Sequence, residues 1–155
     1  MSLYAVLKTV HIVSSTVLFG AGIGTAFFKW IVDRSGNLAA IAVVAEKVVL
    51  ADWLFTTPAI LVQAITGVAL ALMLGYPLLK GWLLLAIGLY LLAGACWLPV
   101  VWLQMKMRDL ARVSRDQVKP LDPQYWVYAR IWFWLGVPAF TALVIVFWLM
   151  VAKPF

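Results

Sequence analysis

Apolar residues fill long windows of this chain, and polar residues collect between them. A helix needs about 20 mostly apolar residues to cross roughly 30 Å of hydrocarbon. Four windows meet that length: residues 3–31, 53–74, 82–102 and 125–151. Lys29 and Trp30 mark the far end of the first, as interfacial residues do. "VDRSGN" (32–37) and "GYPLLKG" (75–81) read as turns, and "QVKPLDPQ" (117–124) as a loop with two prolines. Residues 38–52 are apolar but broken by Glu46, Lys47 and Asp52, which predicts an interfacial helix or an extension of the second span. "QMKMRDLARVSRD" extends the third span as polar helix. Pro58 falls near the start of the second window, where a missing N–H matters least. Pro138 falls inside the fourth and predicts a kink. The pattern predicts an all-α fold: one transmembrane domain over 1–155, an antiparallel four-transmembrane-helix bundle with both termini on one side.

Composition strengthens the membrane reading. The chain is 66% hydrophobic and 12% charged, with mean hydropathy +1.03, too little polar surface for a soluble domain. Its net charge of +6 points to orientation and anionic headgroups rather than nucleic acid. Nine of the twelve Lys and Arg residues fall in or beside the first and third inter-helix segments; only Lys8, Lys80 and Lys153 lie toward the termini. The positive-inside rule then puts those two segments in the cytoplasm and both termini outside. Trp30, Trp53, Trp102 and Trp126 fit an inner aromatic belt, and Tyr4, Tyr76, Trp82 and Trp148 an outer one. Cys96, the one cysteine, reads as a small packing residue. The first 28 residues have no basic leader and no A-x-A-like cleavage site, so they read as a permanent helix.

Candidate chemistry centres on "LKTVHIVSSTVLFGAG", which sets Lys8 and His11, the only histidine, three residues apart on one helix face. Ser15 and Gly22 continue that stripe, which should face other helices. With no carboxylate at that depth, His11 reads as neutral: a metal or haem ligand, a proton carrier, or interhelical hydrogen bonding. Lys8 suits anchoring at the interface. With His11, the lysines at 8, 80 and 153 form either a pocket for an amphipathic anion or separate headgroup anchors. On the other side, Asp52 and Arg130 lie at similar depth and suit a salt bridge. Thr56 or Thr57 can bond to backbone freed near Pro58, and Gln63 lies deeper, all consistent with fixing helix register. "GAGIG" (20–24) contains Gly-x-x-x-Gly, which favours close helix contact and has no strand before it to make a nucleotide fingerprint. There is no clustered metal motif and no nucleophile–base constellation, so the sequence does not decide whether this is an enzyme.

"LKTVHIVSSTVLFGAGIGTAFF", "ADWLFTTPAILVQAITGVAL", "WLPVVWLQMKMRDLA" and "WLMVAKPF" resemble bacterial small integral membrane proteins of the domain-of-unknown-function family 2269. The resemblance covers nearly the whole chain and implies a bacterial inner-membrane location, with no established activity. More distantly, the chain is similar to HemJ-type protoporphyrinogen oxidases and CopD-type copper-resistance domains. The HemJ-type likeness rests on a Lys-x-x-His first helix and a Lys-Pro ending, here Lys153 and Pro154. It implies haem b on His11, with Lys8, Lys80 and Lys153 near its propionates. The HemJ-type third-helix lysine and histidine, and the fourth-helix Asn-Glu before proline, are absent; Leu135 and Gly136 stand before Val137 and Pro138. Three functions follow as expectations: a haem-b-binding oxidoreductase or electron-transfer protein, a non-enzymatic accessory subunit, or copper handling. Haem with two histidine ligands would require a homodimer or larger membrane complex.

Overall fold

The computed structural model describes residues 2–155, and those residues are helical with no strand among them. Helix α1 spans Leu3–Arg34, α2 Leu38–Ala51, α3 Thr57–Met73, α4 Gly81–Asp116 and α5 Pro123–Ala152; a π-helical turn, Asp52–Thr56, joins α2 to α3. Residues 38–52 are thus an extension of the second helix, one of the two expected forms. The third window and its polar tail form a single 36-residue helix. The helix α1 continues through Arg34, so the first turn is shorter than the sequence suggests.

Local chemistry explains these boundaries. Ser2 Oγ accepts from the Ala5 N–H at 3.2 Å, and Asn37 Oδ1 accepts from the Ala40 N–H at 3.1 Å, each capping a helix start. Asp122 caps α5, with Pro123 in the first turn where it forfeits no bond. Gly36 and Gly75 take positive φ in the two tight turns. Pro58 has no N–H, and its ring crowds the carbonyl four residues back. The chain widens just before it, and the Thr57 N–H bonds Asp52 O in π register. Helix assignment continues through Pro138 in α5 and Pro99 in α4.

By length and composition, α1, α4 and α5 are each able to cross a membrane. The surface matches hydrocarbon: Leu61, Ile65, Leu91, Leu98 and Trp134 are each at least 60% exposed. The chain packs as two hairpins, α1 against α3 and α4 against α5, with α2 joining them along α4 and only slight contact between α1 and α5. Two cores pin the ends. One gathers Ile41, Ala42, Leu103, Met107, Ala111, Tyr125 and Trp132; the other gathers Ala71, Trp82, Leu83, Ala86, Val146 and Leu149. Trp82 is therefore core under Tyr76 rather than an open belt residue. Glu46 ties α2 to α4 by accepting from Arg112 Nε at 3.1 Å and Arg115 Nη1 at 3.4 Å. The bonded Arg112 guanidinium holds the Glu46 carboxyl below the usual carboxylate range.

Lys29 departs most from expectation. It is 1% exposed, so it faces the protein interior rather than the surroundings. Its ammonium pairs with Asp33 one turn on, donates to Tyr125 Oη at 3.0 Å, and lies over the Tyr125 and Trp132 rings. Tyr125 Oη donates in turn to Asp33 Oδ1 at 2.6 Å. This lock joins α1 to α5 at the first core. Removing one partner of a buried pair strands the other charge, at a cost of about 3–5 kcal/mol. Asp33→Ala is therefore expected to lower stability by about that much, and Lys29→Met with Asp33→Leu to recover most of it. Unfolding in detergent checks this; equal loss in both variants would contradict it.

Candidate functional site

Between the two cores, the hairpins do not close. A cavity of about 900 Å³ lies there, walled by α1, the π turn, α3, α4 and α5. Small residues make the room: Gly22 and Ala26 on α1, Ala93 and Gly94 on α4, Gly136 and Ala139 on α5. Gly22 is held tightly, because a Cβ there would lie 3.2 Å from the Phe140 ring. At Gly20 and Gly24, the expected close-contact pair, an added Cβ would meet no neighbouring atom within 4 Å. The walls include lipid-exposed residues on both flanks, Phe27 and Val137 on α1 and α5, Leu91 and Leu98 on α4. The cavity therefore communicates sideways with the surface that meets hydrocarbon.

Its lining is apolar except for Thr25, Asp52, Thr56, Tyr90, Trp97, Gln104 and Thr141. The π turn supplies Asp52 and Thr56, and Thr56 Oγ1 donates to Asp52 Oδ1 at 2.9 Å. Tyr90 Oη donates to Ile60 O at 2.6 Å. Among the described residues, three buried side-chain polar atoms lack a partner: Asp52 Oδ2, Trp97 Nε1 and Gln104 Oε1. All three residues line this cavity. Buried polar atoms are nearly always paired, so these three atoms leave hydrogen-bonding capacity unused, although the Gln104 side chain also hydrogen-bonds Asp52. The set offers an indole donor, an amide acceptor and a carboxyl oxygen.

Sequence reasoning found Asp52 but missed Tyr90, Trp97 and Gln104. Their spacing of seven residues was the available signal, since it puts all three on one side of α4. The expected partner of Asp52 is not Arg130: Asp52 bonds Thr56, while Arg130 is exposed in an adjoining groove. The expected bond from Thr56 to freed backbone is likewise replaced by this side-chain bond.

His11 lies elsewhere, half-buried against α3, and is not part of the cavity lining. Its Nδ1 is 2.8 Å from Thr66 Oγ1. Thr66 spends its own hydroxyl proton on Val62 O at 2.6 Å, so His11 Nδ1–H donates and Nε2 keeps its lone pair. Gln63 Nε2 donates to His11 O and, at 2.8 Å, to Ser14 Oγ. Gln63 thus belongs with His11, not with Asp52. Ser14 is the serine on the buried face; Ser15 bonds its own helix at Ile12 O. Gly67 permits the approach, since a Cβ there would be 3.2 Å from His11 Cε1.

The contacts shown for the lysines at 8 and 153 are with aromatic residues rather than with His11. Lys8 lies over Tyr4, and Lys153 donates to Tyr76 Oη at 3.3 Å and lies over Trp82. Lys80 occupies the N-cap position of α4 without a side-chain capping bond, its side chain exposed. No group of three His, Cys, Asp or Glu is placed to hold a metal among the described residues. The residues fit at most one axial bond from His11 to a haem iron, with no propionate pocket beside it.

The sequence model of the family described as "Predicted integral membrane protein (DUF2269)" matches residues 5–154. Comparison with curated proteins and with solved structures finds no match. The His11 cluster yields a direct expectation. Thr66→Val removes the acceptor of His11 Nδ1–H and leaves a half-buried donor alone, so stability should fall by about 1–3 kcal/mol. Ser15→Ala should change little; an unfolding series in detergent with equal effects would contradict the assignment.

Proposed function

Starting from the fact that the chain belongs to DUF2269, a family of predicted integral membrane proteins, we propose that it crosses the bilayer four times and binds a lipid-soluble small molecule between its two hairpins. The fourth crossing rests on joining the π turn to α3. Their 5 and 17 residues give roughly 33 Å of helix at about 1.5 Å per residue, enough for the hydrocarbon core. The surplus of Lys and Arg in or beside the α1–α2 turn and the α4–α5 loop supports a cytoplasmic position for both.

The observation that carries the binding reading is that Asp52 Oδ2, Trp97 Nε1 and Gln104 Oε1, all orphaned, line one cavity. Its size is that of a small-molecule site, mostly apolar with a few polar groups. The ligand chemistry follows from the donor set. Trp97 asks for an acceptor and Gln104 for a donor, so a hydroxyl head suits either. The long apolar walls suit an apolar body, and the lateral openings suit entry from the bilayer. Asp52, steadied by Thr56, orients the head. No reaction is assigned; the reading is a membrane protein that holds such a molecule.

The test is solvent extraction and mass spectrometry of the purified protein beside Gly94→Leu, which fills the cavity, and Gln104→Leu, which removes the head-group acceptor. One hydroxyl-bearing apolar compound should be enriched over bulk lipid in wild type and depleted in both variants. Equal bulk-lipid profiles in all three would overturn the reading and favour an accessory subunit.

A second reading is favoured by one observation, the free Nε2 lone pair that the Thr66 bond leaves on His11. It is a single axial ligation of haem b. A Soret band in protein expressed with haem supply, lost in His11→Ala, would support it; a colourless folded wild type would sink it. Among the described residues no group of three His, Cys, Asp or Glu is placed to hold a metal, which gives copper handling no comparable support.

A further inference from the structure

A second, smaller groove of about 260 Å³ lies where α1 ends and α5 begins. Trp30, Asp33 and Arg34 line one side, and Trp126 and Arg130 the other. Both arginines are exposed, and neither pairs with an acidic group among the described residues. The nearest carboxylate is already committed: Asp33 Oδ2 takes the Lys29 ammonium and Oδ1 takes the Tyr125 hydroxyl. The groove therefore carries two uncompensated guanidiniums. Arg34 is held in place by its stack on the Trp30 ring at 4.0 Å. Trp30 and Trp126 are 40% and 44% exposed, as amphipathic rings at a membrane–water boundary are. Further along α5, exposed Phe133 continues the groove as apolar surface.

We propose that this groove is a binding site for the phosphate of an anionic glycerophospholipid. The forked N–H groups of Arg34 and Arg130 take the phosphate oxygens. Trp30 and Trp126 flank the glycerol level, and the acyl chains descend past Phe133. Basic pockets between helices at a headgroup boundary recognise anionic lipids in this way. The groove adjoins the central cavity and shares Trp30, Trp132 and Phe133 with its lining, but neither arginine lines that cavity. A soluble phosphate has the same head chemistry but gains nothing from Phe133, and that difference separates the two sources.

The experiment uses the delipidated full chain in detergent, with phosphatidylglycerol and phosphatidylcholine added back in equal amounts and native mass spectrometry as readout. Wild type should prefer phosphatidylglycerol on the order of tenfold or more. Arg34→Gln with Arg130→Gln should bring the two lipids to parity, and the paired lysine variants should retain part of the preference. Circular dichroism checks the fold; should the double variant not fold, Arg130→Gln alone decides, with a reduced preference expected. Parity in wild type, or a preference unchanged by loss of the arginines, would overturn the proposal. So would displacement of the lipid by millimolar inorganic phosphate, which would make this a site for a soluble anion.

Discussion

Hydrocarbon offers a buried polar group no partner, so every such group in a membrane helix must find one within the protein or in something bound to it. Most of this molecule obeys that constraint through short, local bonds. Ser14, Thr16, Thr25 and Thr141 return their hydroxyls to their own helices. Lys29 and Asp33 neutralise each other under Tyr125. His11 is matched to Thr66, and its backbone carbonyl to Gln63. Against that economy, the three orphaned atoms of Asp52, Trp97 and Gln104 stand out, and their sharing one cavity gives the fold a functional reading.

The cavity follows from how the hairpins are fastened. Large residues fill both ends, Met107, Tyr125 and Trp132 at one and Trp82, Leu83 and Leu149 at the other. The middle is lined by glycine and alanine on α1, α4 and α5. Two helix pairs joined at both ends and thin in the middle must leave space there. The π turn before Pro58 adds to this, because it brings Asp52 and Thr56 into the wall instead of continuing a regular helix. Close packing normally removes such space; here the choice of small residues preserves it.

Much of the fold was legible in the sequence because length and apolarity govern membrane helices so strongly. The windows at 3–31, 82–102 and 125–151 fall within α1, α4 and α5, and the uncertain segment at 38–52 resolved into helix joined to the second window. The site was less legible. Lys29 read as a surface residue because a lysine near a helix end usually is; Asp33 four residues on was a local signal for an ion pair, but nothing local reveals the tyrosine 96 residues away that buries it. Gln63 and His11 lie 52 residues apart in the chain, so their meeting depends on how α1 packs on α3. Trp97 and Gln104 passed as ordinary helix residues. Only the seven-residue spacing from Tyr90 hinted that they share a face, and a spacing alone cannot say that the face borders a void.

The central claim is that the space between the hairpins is occupied by a molecule whose polar head meets Asp52, Trp97 and Gln104. An experimental density map of the protein in lipid nanodiscs tests it most directly. The account predicts elongated non-protein density in the cavity, its polar end within hydrogen-bond distance of Trp97 Nε1 and Gln104 Oε1. Hairpins closed against each other with these groups paired within the protein, or isolated waters alone in the cavity, would contradict it.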